Sequence, residues 1–189
     1  MTAFDETIAA LRAALVDRPR VRWTHAARPA AVAALIVDRH GEPFVPLIQR
    51  GHDAPVHSNQ IALPGGRVEA SDASEIEAAC REAFEELGVP RDRIEVLGAI
   101  DDVPTPTGFA ITPVVARLDA RDLAYVPDRR EVAGWFEAPL ALFRDRAAAE
   151  DLGTRTWQGV SYTLRAYRHG EHRIWGATAR VLEAIVELL

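Results

Sequence analysis

Apolar residues near the N-terminus recur at helical and then at strand-like spacing. The pattern over residues 2–16 predicts an amphipathic helix, which Pro19 ends. Two compact apolar runs follow, at 31–37 and 44–49, with turn-forming residues at 40–43 between them. These runs predict a β-hairpin after the first helix.

The clearest helix signal lies in the middle of the chain. Ser74 is a good N-cap, and Glu77 three residues later completes a capping-box pattern. Gly88 is a typical helix terminator, and Pro90 prevents continuation. The predicted helix places five residues on one apolar face: Ile76, Cys80, Ala83, Phe84 and Leu87.

The second half of the chain mixes strand and helix patterns. Short apolar runs predict strands at 94–100, 111–118, 132–136 and 160–167, and the proline-rich stretch 101–109 predicts a long loop. Residues 139–149 and 177–189 have helical patterns. Helices before, among and after the strands predict one α/β or α+β domain over 1–189, with residues 1–20 as a helical extension.

Composition and charge exclude several classes of protein. The 189 residues are 48% hydrophobic and 26% charged, which excludes global disorder, and they contain no apolar run suited to a transmembrane helix. A net charge of −6 disfavours binding to a nucleic-acid polymer. Acids near the N-terminus argue against a signal peptide, and the single cysteine, Cys80, excludes an intrachain disulfide and favours the reducing cytoplasm. The sequence leaves a homodimer open.

Three glutamates crowd the end of the central helix. Glu82, Glu85 and Glu86 fall within an arc of about 100°. Their mutual repulsion and their place near the helix C-terminus both cost free energy. Divalent cations such as Mg²⁺ would remove both penalties, although acidic solvated helix faces are also common. The upstream pair Gly65-Gly66, which lets backbone approach a ligand closely, favours the metal site.

Residues 66–89 resemble the Nudix box. Gly66 is followed after five residues by Asp72 and after eight more by Arg81-Glu82-Ala83-Phe84-Glu85-Glu86-Leu87-Gly88-Val89. Asp72 replaces the glutamate of the general pattern, and one extra residue lies in the loop before Arg81. The resemblance implies an α/β/α sandwich with a mixed sheet, in which the box forms a loop–helix–loop.

Further stretches resemble the branch of the Nudix hydrolase family that hydrolyses coenzyme A. They are residues 103–115, 131–140 and 174–179. The branch's upstream signature is less complete, because Pro55 stands where a second arginine is expected and Asn59 where a glycine is expected. The resemblance implies hydrolysis of coenzyme A or its thioesters. Another nucleoside diphosphate derivative, such as ADP-ribose, a dinucleotide or a nucleoside triphosphate, is the alternative, and a non-catalytic nucleotide-binding module is a third.

The resemblance also implies a cofactor and a set of ligands. The cofactor is Mg²⁺ or Mn²⁺, held by Glu82 and Glu86, with Glu85 as a further ligand or the holder of a metal-bound water. The Gly66 carbonyl could supply another oxygen. Arg81 would orient these glutamates by charge-assisted hydrogen bonds.

The general base and the phosphate contacts stay open at this stage. Glu85 and Glu131 are both candidates for the base, and Glu131 could equally be an exposed loop acid. Arg50 and Arg67 flank the expected site and could bind phosphate oxygens of a small nucleotide substrate, with surface salt bridges as the competing explanation.

Overall fold

The structure is a computed structural model that describes residues 1–25, 27–51, 60–157 and 159–189. Three α-helices are present in this part of the chain: α1 (Ala3–Leu15), α2 (Glu75–Leu87) and α3 (Gly176–Val186). The strands are β1 (Arg28–Arg39), β2 (Glu42–Arg50), β3 (Ile61–Ala62), β4 (Gly65–Arg67), β5 (Ile94–Ala99), β6 (Val103–Pro104), β7 (Phe109–Leu118), β8 (Val132–Pro139), β9 (Glu150–Trp157), β10 (Val160–His169) and β11 (His172–Trp175). None of the helices in the described ranges is both long and apolar enough to cross a membrane.

A large mixed sheet forms the centre of the fold. The predicted hairpin is confirmed, since β1 and β2 pair antiparallel. On its other side β1 pairs in parallel with β7, and β7 pairs antiparallel with β5 and β6. β8 covers the outer edge of β2, while β3 pairs with β2 and β4 pairs with β1. The mixed pairing confirms the predicted α+β class.

Helices cover both faces of this sheet. Successive strand residues point to opposite faces, so β1 contributes to two cores. Ala34 and Ile36 pack with α1 and α3, whereas Ala33 and Leu35 pack with α2. The arrangement is the expected α/β/α sandwich, with α2 alone on one face.

The boundaries of α2 agree with the prediction, but one residue assigned to its apolar face is exposed. The Ser74 hydroxyl accepts a hydrogen bond from the Glu77 N–H at 3.2 Å, and Gly88 ends the helix with φ of +70°. Cys80 is buried against the sheet. Phe84, predicted to share the buried face, is 58% exposed, because it lies about 100° around the helix from the buried Ala83.

The prediction of a helix over 139–149 is wrong. Only a 3₁₀ turn forms at Leu140–Phe143, and β9 begins at Glu150. The Asp145 carboxylate accepts hydrogen bonds from the N–H groups of Ala147 and Ala148, which favours a turn over helix continuation. Strands β9, β10 and β11 then form a second, antiparallel sheet, of which only β10 was predicted. The predicted loop at 101–109 also contains β6.

The segment after α1 braces the start of α2. Arg20 donates to Glu75, the first residue of α2, at 3.0 Å and lies 3.4 Å from the Asp102 carboxylate. Burial alone would raise the pKa of Glu75, but hydrogen bonds from its own N–H and from Arg20 and Arg22 lower this pKa to about 2. Asp102 also accepts from the backbone N–H of Trp23 at 2.8 Å. This network ties α2 to β6 and to the N-terminal segment.

Candidate active site

Two glutamates of α2 face the glycines of β4. Glu82 lies directly over Gly66, so closely that a Cβ placed on Gly66 would be 2.2 Å from the Glu82 Oε1 atom. Glu86 accepts a hydrogen bond from the Gly65 N–H at 2.7 Å. The glycine pair therefore gives the two carboxylates direct access to the backbone of the strand.

Glu86 is a buried carboxylate with an elevated pKa. Its exposed fraction is 1%. Burial raises the pKa of Glu86 to about 7, and the charges of Glu82 and Glu131 act in the same direction. The Arg50 guanidinium, 3.8 Å from Glu86, and the Gly65 N–H offset part of this cost. A second cation at this position would stabilise the ionised carboxylate.

Arg81 connects the acidic residues of the site. It donates to both Asp72 oxygens, at 2.9 and 3.0 Å, and to the Arg67 carbonyl at 3.0 Å. It also donates to Glu82 at 2.9 Å and to Glu85 at 2.8 Å. These bonds raise the pKa of Arg81 and lower that of Asp72. Arg81 thus fixes the orientation of Glu82 and Glu85 and anchors the box loop through Asp72.

The remaining predicted site residues border this cluster. Arg50 donates to the Gly65 carbonyl at 2.7 Å, so it contacts both the glycine strand and Glu86. Glu85 is half exposed beside Arg81. The exposed Glu131 follows Asp128, whose N–H bonds to the Glu86 carbonyl, and its charge raises the pKa of Glu86. Glu131 therefore lies near Glu86.

Arg67 points away from this cluster. Its Cζ atom lies 5.6 Å from the centroid of the Phe109 ring, and it forms no ion pair with the described part of the chain. The Phe109 contact and its second arginine, Arg28, were missed from the sequence. Arg28 and Phe109 are brought together only by the parallel pairing of β1 with β7, with 80 residues between them in sequence. No short sequence pattern could predict this contact. Pro55 and Asn59 lie outside the described residues.

The donor set fits a divalent metal ion of the hard class. Carboxylates and backbone carbonyls are oxygen ligands, and the lack of a side chain at Gly66 lets the Glu82 carboxylate lie against the backbone of β4. Among the described residues, no three carboxylate, imidazole or thiol groups converge into a complete metal cage. Mg²⁺ commonly takes only one or two carboxylates and keeps several waters, so such a cage is not required.

An added methyl group should have different effects at Gly65 and Gly66. In Gly66→Ala, the Cβ meets the carboxylate end of the Glu82 side chain, which can rotate away, so we expect a large loss of activity with little change in melting temperature. In Gly65→Ala, the Cβ would lie 2.4 Å from the Ala31 carbonyl oxygen, a backbone atom, so we expect lower stability. Thermal unfolding and initial rates on the two purified variants check this contrast, and equal melting temperatures would contradict it.

Fold and site together define the class of protein: an α/β/α hydrolase in which a glutamate-bearing helix packs on a glycine-containing strand. The family model described as the NUDIX domain matches residues 27–157. An uncharacterised Nudix hydrolase, NudL of Citrobacter koseri, is 36% identical over 170 residues, which cover 89% of this chain and 86% of the relative.

Solved structures agree with this match. The crystal structure of the Nudix hydrolase RenU of M. smegmatis has a TM-score of 0.52 and 27% identity, and covers 62% of this chain and 74% of RenU. A MutT/nudix family protein from Enterococcus faecalis has a TM-score of 0.54 at 19% identity and covers 99% of this chain and 74% of that chain, a likeness of fold alone. The chain belongs to the Nudix family. It is a hydrolase of nucleoside diphosphate derivatives, in a family that generally uses divalent metal ions.

Proposed function

We propose that the chain hydrolyses the diphosphate linkage of coenzyme A or acyl-CoA with Mg²⁺ or Mn²⁺. The products would be adenosine 3′,5′-bisphosphate and 4′-phosphopantetheine or its acyl derivative. The observation that carries the hydrolytic part is the buried Glu86 next to Glu82, whose carboxylate lies directly against Gly66. A protein that only binds nucleotides would gain nothing from burying a carboxylate whose pKa is raised to about 7.

Each residue of the site has a role in this proposal. Glu82, Glu86 and the Gly66 carbonyl hold the divalent ion, with Glu85 as a further ligand or as the acceptor for a metal-bound water. The ion supplies charge neutralisation at the phosphates and a lower pKa for the attacking water. Arg81 positions Glu82 and Glu85 through its hydrogen bonds of 2.9 and 2.8 Å.

Two residues are candidates for the general base. Glu85 is half exposed, and its hydrogen bond from Arg81 fixes the direction of its carboxylate. Glu131 is exposed and lies close enough to Glu86 to influence its pKa. Arg50 would bind phosphate oxygens of the substrate, and its hydrogen bond to the Gly65 carbonyl supports this role.

The sequence stretches at 103–115, 131–140 and 174–179 support coenzyme A as the substrate. The first contains β6 and the first part of β7, the second contains β8 of the large sheet, and the third joins β11 of the second sheet to α3. Pro55 and Asn59 favour the alternative, a different nucleoside diphosphate derivative such as ADP-ribose. The buried Cys80 supports a reducing cytoplasm as the compartment.

A substrate panel distinguishes the two functions. We expect the purified protein, with Mg²⁺ or Mn²⁺, to cleave coenzyme A into the two products named above, identified by mass. ADP-ribose, a dinucleotide and a nucleoside triphosphate should be cleaved at least tenfold less efficiently. Efficient turnover of ADP-ribose without turnover of coenzyme A would assign the alternative function.

A further inference from the structure

The loop between β6 and β7 holds an aromatic ring rigidly at one end of the large sheet. Thr105 donates its N–H to the Phe109 carbonyl at 2.9 Å, and the Phe109 N–H donates to the Thr105 hydroxyl at 3.1 Å. Gly108, with φ of +82°, closes the turn by donating to the Thr105 carbonyl at 3.0 Å. These hydrogen bonds hold the backbone of Phe109 in place.

Two arginines share this ring. The Arg28 Cζ atom lies 4.1 Å and the Arg67 Cζ atom 5.6 Å from the Phe109 ring centroid, both within the range of cation–π contacts. Arg28 is also held by a hydrogen bond from its Nη2 atom to the Thr107 carbonyl at 2.9 Å. Neither guanidinium pairs with a carboxylate in the part of the chain that the structure describes. Two neighbouring cations without a counter-charge form a site for an anion.

The arginine pair lies next to the carboxylate site but on the opposite face of the sheet. Gly66 pairs with Ala31 and faces α2, as its contact with Glu82 shows. Arg67, one Cα step of about 3.8 Å away, pairs with Ala30 and faces the other layer. Arg28 lies two residues before Ala30 and shares that face. The pair would therefore contact a part of the substrate remote from the reacting phosphorus.

We propose that Arg28 and Arg67 form a subsite for a phosphomonoester on the nucleoside part of the substrate. This inference rests on the proposed function and narrows its substrate class to nucleoside diphosphate derivatives that carry an additional phosphate. Guanidinium groups bind phosphate through paired hydrogen bonds, and the Phe109 contact leaves the N–H groups of Arg67 and those of Arg28 other than the one bonded to Thr107 available. Coenzyme A carries such a group as its 3′-phosphate, whereas ADP-ribose does not.

Calorimetric titration with two nucleotides tests the subsite directly. We expect adenosine 3′,5′-bisphosphate to bind the full chain about tenfold more tightly than AMP, the gain from a charge-assisted contact to one extra phosphate. Arg28→Ala and Arg67→Ala should each reduce this ratio to near one. Arg168→Ala removes an exposed arginine of β10 that has no ion pair in the described chain, and it should leave the ratio unchanged.

Turnover distinguishes failure of this subsite from failure of the proposed function. Equal affinities for the two nucleotides in the unaltered chain, or a ratio that both arginine variants retain, would overturn the subsite. If the protein prefers the bisphosphate but does not cleave coenzyme A, the subsite stands and the proposed function fails. If it cleaves coenzyme A and 3′-dephospho-coenzyme A with the same kcat/KM, the subsite has no role in catalysis and the inference fails.

Discussion

Glu86→Gln and Glu82→Gln should each lower kcat by roughly 100- to 1,000-fold. Each substitution removes a negative oxygen ligand while keeping the size of the side chain. Glu86→Gln should not destabilise the fold at pH 8, because burial makes the ionised carboxylate costly and the amide is neutral. Initial rates at saturating Mn²⁺, together with the melting temperature of each variant, check this prediction.

Glu77→Gln provides the matched control. Glu77 lies on the same helix and is exposed, with its side chain 3.6 Å from Arg91. We expect its kcat to stay within about twofold of the unaltered protein, as is usual for an exposed charge. Full activity in both Glu82→Gln and Glu86→Gln would refute the assignment of the metal ligands and would favour a non-catalytic module.

Metal binding should strengthen by roughly tenfold per pH unit as pH rises towards 7 and level off above it. Protons and the divalent ion compete for Glu86, whose pKa burial raises to about 7 in the metal-free protein. The Kd for Mn²⁺, measured between pH 5.5 and 8.5, would show the bend near pH 7. Glu86→Gln should remove the bend, and a bend that persists in this variant would contradict the assignment.

The same group sets the sign of the pH effect on stability. The pKa of Glu86 is higher in the folded chain than its ordinary value of 4.5, so the folded state binds more protons between about pH 4.5 and 7. The contribution of Glu86 to stability is therefore present below pH 4.5 and is lost as pH rises through 7. Added Mn²⁺ should raise the melting temperature more at pH 8 than at pH 6, and removal by a chelator should reverse the gain.

The parts of the fold that were predictable depend on local chemistry. The hairpin of β1 and β2 and the helix α2 follow from apolar spacing, the Ser74 cap and the Gly88 terminator. The carboxylate cluster was also visible, because the spacing of Glu82 and Glu86 places both on one helix face. Glu86 contacts Gly65 and Glu82 contacts Gly66, so the helix of the box packs on the glycines that precede it in sequence.

The parts that were not predictable depend on contacts between distant segments. The apolar and alanine-rich stretch at 139–149 has a helical pattern, but Asp145 turns the chain and β9 finds its partner in β10. The burial of Glu86 depends on where α2 docks on the sheet, which local periodicity cannot show. Arg28 meets Phe109 only through the parallel register of β1 and β7.

The reactivity of Cys80 can report local opening of the structure around α2. This thiol is the only one in the chain. It is buried between α2 and the sheet, two residues before Glu82. Because Cys80 is only 3% exposed, local opening around α2 should speed its reaction with an alkylating reagent, and the labelling rate reports the free energy of that opening. If the proposed ion binds between α2 and β4, its occupancy should be measurable as protection of a single sulfur atom.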